Sequence, residues 1–394
     1  MKYDVGGLQL DRPFRVRRLG HFGFHTNNVN DTVEFMTGIL GLSISDTEDF
    51  SARSTEPISE EDARAWFLRL GSDHHTVVLG SQNLLDKLEP ARAGQLVNQM
   101  SWQVGTLQEV SDGMDFIAEN ATLRRIGRDA PGSNWHSYAY DPDGYVIEIF
   151  YGIEQIGWDG KSKPRSMYDR GFTTRPDLPQ IPEYQEVDQA AARGDDVHAG
   201  YRYEEARRAT FNVDGILLPR PFKLTRLAKV GVFVEDVESS TAFYRDVLGL
   251  AVSERVTVNG HDCVYLRADS EHHSLALYPA ALRDVYETEG HSFGVTCGFA
   301  IANYRQLKDA YQFFVDNDVK ILDLPPQLSP GVKYGFWIQG PNKVAIEIFY
   351  GMDRVGLDGS VTAKSFPPSV SEWPDSITHG GAGWYDLPLM GPFA

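Results

Sequence analysis

Only two cysteines, Cys263 and Cys297, occur in 394 residues, and neither belongs to a CxxC pair. A thiolate metal cage is therefore excluded, and the two read as buried free thiols of a reducing compartment, with a bridge between them the alternative. Basic residues are also in short supply. Thirty-seven Lys and Arg against 55 Asp and Glu give a formal charge of −18. This disfavours nucleic acid and anionic membrane as partners, because polyanions are bound through surplus Lys and Arg. Long apolar runs are missing as well. The stretch Met1–Arg18 mixes charge with Gly and Pro, and neither a signal peptide nor a membrane span is visible, so the chain reads as soluble and cytoplasmic. What remains is an ordinary globular composition, 42% apolar and 12% aromatic, long enough for two or more buried cores.

The chain is organised by an internal repeat. Residues 19–42, LGHFGFHTNNVNDTVEFMTGILGL, match 227–250, LAKVGVFVEDVESSTAFYRDVLGL; DHHTVVL at 73–79 matches EHHSLAL at 271–277; and GYVIEIFYGIEQIGWDG at 144–160 matches KVAIEIFYGMDRVGLDG at 343–359. Each copy opens with an alternating strand (20–26; 229–235). A helix follows whose Phe35, Met36, Ile39 and Leu40, like Phe243, Tyr244, Val247 and Leu248, make one apolar face. Gly41 and Gly249 stand where a left-handed helix stop belongs. A second strand–helix–strands unit starts near 98 and 295, with helices about 109–119 and 304–317. The expected fold is thus α+β, with four βαβββ modules in two homologous halves. The boundaries are 15–158, a connector over 159–221 with helix at about 184–208, 222–358, and a tail over 359–394.

Alternation along strands assigns the chemistry to faces. His21, Gly23 and His25 share one face of the first strand, and Gln99, Ser101 and Gln103 one face of the strand opening the second unit. Phe22, Phe24, Met100, Trp102 and Val104 take the opposite, core faces. Glu148 lies inside the apolar strand Tyr145–Phe150, where a carboxylate requires a metal, a cation or a proton. In the second half the matching positions are Lys229, Gly231 and Phe233, then Thr296, Gly298 and Ala300, with Glu347 in place of Glu148. A lysine where the histidine would be rules out a metal site there and offers Glu347 a counter-ion. Only the first half keeps ligand-type residues.

The pattern of L-x-H at a strand start, a helix ending in LGL, HHT, and DPDG before a strand Glu resembles the vicinal oxygen chelate superfamily (glyoxalase, bleomycin resistance, extradiol dioxygenase). Its order and length most resemble the type I extradiol ring-cleavage dioxygenases. That resemblance implies modules closing into open, cupped β-barrels, and a divalent metal, Fe(II) first and Mn(II) next. It makes His21 the first metal histidine, Glu148 the metal carboxylate, His75 the acid-base histidine and Tyr138 the substrate hydrogen-bond donor. His136, facing as Tyr138 does, is a reserve proton relay. The second metal histidine falls on Gln99, a departure from the family pattern, and His25 or His75 are alternative donors. The metal-bearing copy is here the amino-terminal one, another departure.

Expected partners are a small aromatic or enolisable substrate and dioxygen, with self-association left open. The implied activity is extradiol-type cleavage of a catecholic ring. The competing readings are a non-oxidative metal-dependent lyase or isomerase, which the glutamine favours, and a metal-free small-molecule binding protein.

Overall fold

Polar–apolar alternation along the strands separates two faces, and the computed structural model carries two sheets of eight whose central strands are buried on both. It describes residues 2–128, 130–132, 134–168, 174–288, 294–355 and 365–378, so most of the expected tail lies outside the described residues. The first sheet comprises β1 (Arg18–Thr26), β2 (Ser43–Asp49), β3 (Arg64–Arg69), β4 (Val77–Ser81), β5 (Val97–Gln103), β6 (Thr122–Gly127), β7 (Trp135–Tyr140) and β8 (Val146–Tyr151). Its order is β2-β3-β4-β1-β5-β8-β7-β6. The second comprises β9 (Leu224–Val234), β10 (Ala251–Val258), β11 (His261–Arg267), β12 (Leu275–Pro279), β13 (Val295–Ile301), β14 (Ile321–Leu322), β15 (Val332–Gln339) and β16 (Val344–Met352). Its order repeats the first, β10-β11-β12-β9-β13-β16-β15-β14. The end strands stay unpaired with each other, so each sheet is open, as expected of cupped half-barrels.

Each module places its last strand parallel to its first, β4 beside β1 and β8 beside β5. The two first strands, β1 and β5, then pair antiparallel at the centre of the sheet. Residues on these central strands therefore have neighbours on both sides, and their inward faces converge. The outward faces are core: Phe22, Phe24, Met100 and Trp102 are all buried. Over the neighbouring strands β8, β7 and β6 packs α1 (Leu107–Asn120), capped by the Thr106 side chain and burying Val110, Met114 and Ile117 at i, i+4, i+7. The matching α2 (Tyr304–Asp316) is capped by Asn303 and buries Leu307, Ala310 and Phe314.

The expected helices before Gly41 and Gly249 are present, but both end in a wider π-helical turn, over Phe35–Ile39 and Phe243–Leu248. Both glycines are left-handed, with φ of 85° and 84°. Because the π-turn occurs in both halves, it belongs to the fold and not to a site in one of them.

Two features differ from the expectations. The connector helix covers Glu183–Arg193 and stops at Gly194, whose φ of 85° closes it well short of 208. The repeat also starts earlier than the sequence matches suggested. A hairpin of Tyr3–Val5 and Leu8–Leu10 precedes Arg12-Pro13-Phe14, and a hairpin of Phe211–Val213 and Ile216–Leu218 precedes Arg220-Pro221-Phe222. Phe14 and Phe222 are both buried. By contacts the chain forms two compact units. One holds residues 1–29, 42–205 and 247–249, and the other holds 30–41, 206–246 and 250–394.

Candidate metal centre

The centre follows from register. His21 on β1 is paired with Ser101 on β5, Ser101 with Glu148 on β8, and Glu148 with Tyr138 on β7. Residues directly opposite one another share a face, so these four form a polar row across the middle of the first sheet. Gln99 lies one pleat from Ser101, opposite Gly23, whose missing side chain leaves room for it: a Cβ there would stand 3.1 Å from Gln99 Cγ.

Glu148 is fully buried and receives hydrogen bonds from several sides. Its Oε2 accepts from His21 Nε2 at 2.9 Å, Gln99 Nε2 at 3.1 Å and Ser101 Oγ at 2.5 Å, and its Oε1 accepts from Asn134 Nδ2 at 2.8 Å. Burial alone would raise this carboxyl. The His21 imidazole, then His136 and the Ser101 hydrogen bond, outweigh burial and hold it below the ordinary glutamate value.

Gln99 Nε2 also lies 2.9 Å from His21 Nε2. The three donor groups of His21, Gln99 and Glu148 are thus 2.9, 2.9 and 3.1 Å apart. Cis donors around a divalent ion with bonds of about 2.1 Å are separated by about 3.0 Å, so this triangle has the size of one face of a six-coordinate site. Turning the Gln99 amide over puts Oε1 where Nε2 stands and supplies the third oxygen or nitrogen donor. The residues fit a divalent cation held on one face. Among the described residues no group of three His, Cys, Asp or Glu has metal-site spacing, so a cation at this row would take the Gln99 amide as its third donor.

The alternatives for that third donor are placed differently. His25 is four residues along β1 from His21, about 13 Å of strand, and its Nε2 takes a hydrogen bond from Asn98. Burial and the Arg92 charge push its imidazole down to about 3. His75 stacks edge-on against His21 with ring centroids 4.3 Å apart. Complete burial, then His21, His74 and His136, push it well below the ordinary value, so it is neutral.

The tautomer of His75 follows from its neighbours. His74 Nε2 is 4.0 Å from Asp46 Oδ2, which favours the proton on that nitrogen and makes His74 Nδ1 the acceptor from His75 Nδ1, 3.0 Å away. Nε2 of His75 is then the bare acceptor. The second half repeats the arrangement more tightly, with His272 Nε2 3.0 Å from Glu254 Oε2 and the two Nδ1 atoms of His272 and His273 3.0 Å apart. The HH pair is therefore a structural unit of both halves, and only in the first does it meet a histidine on β1.

His136 has both ring nitrogens engaged. Nδ1 donates to the Asn134 carbonyl at 3.1 Å, and Nε2 accepts from Arg125 Nη2 at 3.0 Å. Nδ1 stays 3.9 Å from Glu148. The ring leans against Tyr138, with centroids 4.6 Å apart. His21, His75, Gln99, Asn134 and Tyr138 all line one cavity of about 250 Å³.

In the second half the row reads Lys229, Gly298, Glu347, Trp337. Lys229 Nζ forms a buried ion pair with Glu347 Oε2. Gly298 makes the room: a Cβ there would lie 2.7 Å from the lysine chain. The space matching the cavity is filled by Phe233, Tyr265, Tyr278 and Trp337, where the first half has His25, Phe67, Gly80 and Tyr138. The Tyr278 hydroxyl reaches Thr296, which stands where Gln99 stands.

The structure brings together His21, Gln99, Glu148, His75 and Tyr138, sets His136 just behind them, and keeps His25 on the wall of the same cavity but away from the donor row. Sequence reasoning did not assign Ser101 or Asn134. Ser101 was legible as a member of the polar face; Asn134, in a loop, carried no periodic signal.

The sequence matches the profile of the Glyoxalase/Bleomycin resistance protein/Dioxygenase superfamily twice, over residues 18–149 and 226–348. No curated protein sequence matches it significantly. Among solved structures, homoprotocatechuate 2,3-dioxygenase from Arthrobacter globiformis superposes with a TM-score of 0.53 at 15% identity, covering 88% of this chain and 84% of that one. A catechol 2,3-dioxygenase superposes with a TM-score of 0.53 at 16% identity, covering 95% and 99%. The Mn(II)-bound glyoxalase from Novosphingobium aromaticivorans gives 0.54 at 13% identity, covering 91% and 89%. At such identities the likeness is one of fold.

Proposed function

The chain belongs to the glyoxalase/bleomycin resistance protein/dioxygenase superfamily, and from that membership we propose that its amino-terminal half is a metal-dependent, extradiol-type dioxygenase acting on a catecholic ring. The observation that carries the reading is the donor triangle of His21, Gln99 and Glu148, of which His21 and Gln99 line a cavity that also presents His75 and Tyr138. A divalent cation held there, Fe(II) foremost, would supply Lewis acidity toward a vicinal diol and, for iron, the electron transfer that dioxygen chemistry needs.

The chain's own residues supply the rest. His21, Gln99 and Glu148 occupy one face and leave the cavity side open to two substrate oxygens. His75, with its bare Nε2 beside His21, accepts a hydroxyl proton from the ring and returns it later. Tyr138, held against His136, positions the ring's oxygen from the opposite strand. Ser101 and Asn134 keep the Glu148 oxygens aimed by hydrogen bonds behind the ligand row. The aromatic nature of the substrate is supported by the second half, where a tyrosine phenol fills the equivalent space.

A second reading, a non-oxidative lyase or isomerase that stabilises an enolate, is favoured by one feature, the amide of Gln99. Metal analysis and oxygen uptake separate the two. Protein loaded anaerobically with Fe(II) is expected to hold one ion per chain, to lose it in Glu148→Ala, and to retain it in Glu347→Ala. The loaded protein is expected to consume oxygen with at least one member of a catechol panel. Metal retained in Glu148→Ala overturns the site. Full iron occupancy without oxygen uptake overturns the dioxygenase in favour of the enolate chemistry.

A further inference from the structure

Arginine is concentrated in this cavity against the trend of the chain. The sequence has 37 basic and 55 acidic residues, yet among the described residues Arg53, Arg64, Arg92, Arg124 and Arg125 line the wall against Glu48 and Glu89. Three of the five gather at one end. Glu89 is shared there, bonded at 2.9 Å to Arg92 Nη1 and also to Arg124, so two guanidinium groups stand on a single carboxylate. Arg124 and Arg125 sit 6.0 and 5.2 Å over the Tyr138 ring. Arg92 is buried, and Arg124 keeps 27% of its side chain exposed.

We propose that the cavity is built for an anionic substrate, a single ring bearing a carboxylate that is received at the Arg92–Arg124–Arg125 end while the ring's oxygens face His21 and Glu148. This rests on the reading of the donor triangle as the reactive end. Register sets the geometry: Arg125 on β6 is paired with Tyr138 on β7, and Tyr138 with Glu148 on β8. Two strand spacings, about 10 Å, separate the arginine end from the donor row, which is the span of one substituted ring with hydrogen bonds at both ends. A cavity of about 250 Å³ lies below the range of about 300–1,000 Å³ that drug-sized ligands occupy, so one ring is what it admits.

The guanidinium fork matches a carboxylate with two parallel hydrogen bonds, and a wall of low dielectric with surplus positive charge draws in anions. Glu89 holds Arg92 and Arg124 in place before the ligand arrives, which limits the ordering cost on binding.

Calorimetric titration of the metal-loaded protein with three probes tests this. The probes are 3,4-dihydroxybenzoate, 4-methylcatechol with the same diol and no charge, and benzoate with the charge and no diol. Arg124→Gln is expected to weaken 3,4-dihydroxybenzoate and benzoate by about tenfold to a hundredfold and to leave 4-methylcatechol within about twofold. Arg124→Lys should recover part of the loss, and added salt should weaken only the charged probes. Retained 4-methylcatechol binding reports that the variant is folded. Should Arg124→Gln not fold, Arg125→Gln at the same end must still weaken the charged probes selectively. Equal losses for charged and uncharged probes, or wild-type protein that binds benzoate not at all, overturn the proposal. Benzoate needs no diol recognition, so its selective loss in Arg124→Gln stands even when no catechol supports oxygen uptake, and the two readings fail separately.

Discussion

Lys229→Met should destabilise the protein in a pH-dependent way. The substitution keeps an unbranched side chain as far as Cε and removes the cation that partners Glu347, both groups being buried, at 4% and 0% exposure. Stripping one member from a buried ion pair costs about 3–5 kcal/mol, because the survivor is left charged and dry. The protein can escape by binding a proton at Glu347. At pH 7 protonating a glutamate of ordinary value near 4.3 costs about 1.4 kcal/mol per pH unit, or about 3.7 kcal/mol in all. The folded variant then carries a proton that the unfolded chain lacks, so its stability falls as pH rises. The deficit should shrink from about 4 kcal/mol at pH 7 to about 1 kcal/mol at pH 5. Urea unfolding of wild type, Lys229→Met and Lys229→Met/Glu347→Gln at pH 5, 6 and 7 reads this directly. The double variant, with no stranded charge, should show a deficit that does not vary with pH. A deficit in Lys229→Met below about 1 kcal/mol at pH 7, or one that does not change with pH, would refute the idea that the lysine holds that carboxylate.

Three further outcomes are expected. Gln99→His should bind Fe(II) more tightly in a competition titration, since imidazole is the better donor for that ion; unchanged affinity would place Gln99 outside the ligand set. His75→Ala should keep its metal by elemental analysis and lose turnover by about 10²–10⁴-fold, whereas loss of metal would make His75 a ligand. Glu154, raised to about 7 by burial and then by Asp46 and Glu183 against the pull of Lys163, binds a proton in the folded state that the unfolded chain releases, so it subtracts stability as pH rises from about 4.5 through 7. Its Oε1 accepts from the Lys163 amide while Oε2 is buried with no hydrogen-bond partner among the described residues, so Glu154→Gln keeps the bond. Thermal unfolding should show a gain of up to about 3 kcal/mol at pH 8 that shrinks to below about 1 kcal/mol at pH 5.

The duplication and its four modules were legible because the repeated segments are those that bury the same faces twice. Lys229 as the counter-ion of Glu347 was legible for the same reason: comparing two copies turns a position into a question about charge. The earliest part of each repeat was not recognised, although Arg12-Pro13-Phe14 and Arg220-Pro221-Phe222 are the same tripeptide. The stretch before it is too short and varied to stand out. The arginine wall was illegible for a different reason. Its members come from β3, β6 and intervening loops, each an ordinary charged residue locally, and only the curvature of the sheet gathers them. Asn134 and the shared tautomer of the HH pairs likewise depend on contacts between segments distant in the chain.

Gly80 and Tyr278 occupy the same place in the two halves, and the difference sets their economy of stability. In the second half a phenol tethered to the backbone packs the interior permanently, and that half gains the dispersion contacts of a filled core. In the first half those contacts are forgone, and a glycine leaves the interior to be completed by whatever diffuses in. A ligand that binds only the folded chain stabilises it by mass action. The lifetime of the folded protein should therefore track the supply of the ligand that fills this cavity, rising when it is plentiful and falling to that of a half-packed scaffold when it is absent.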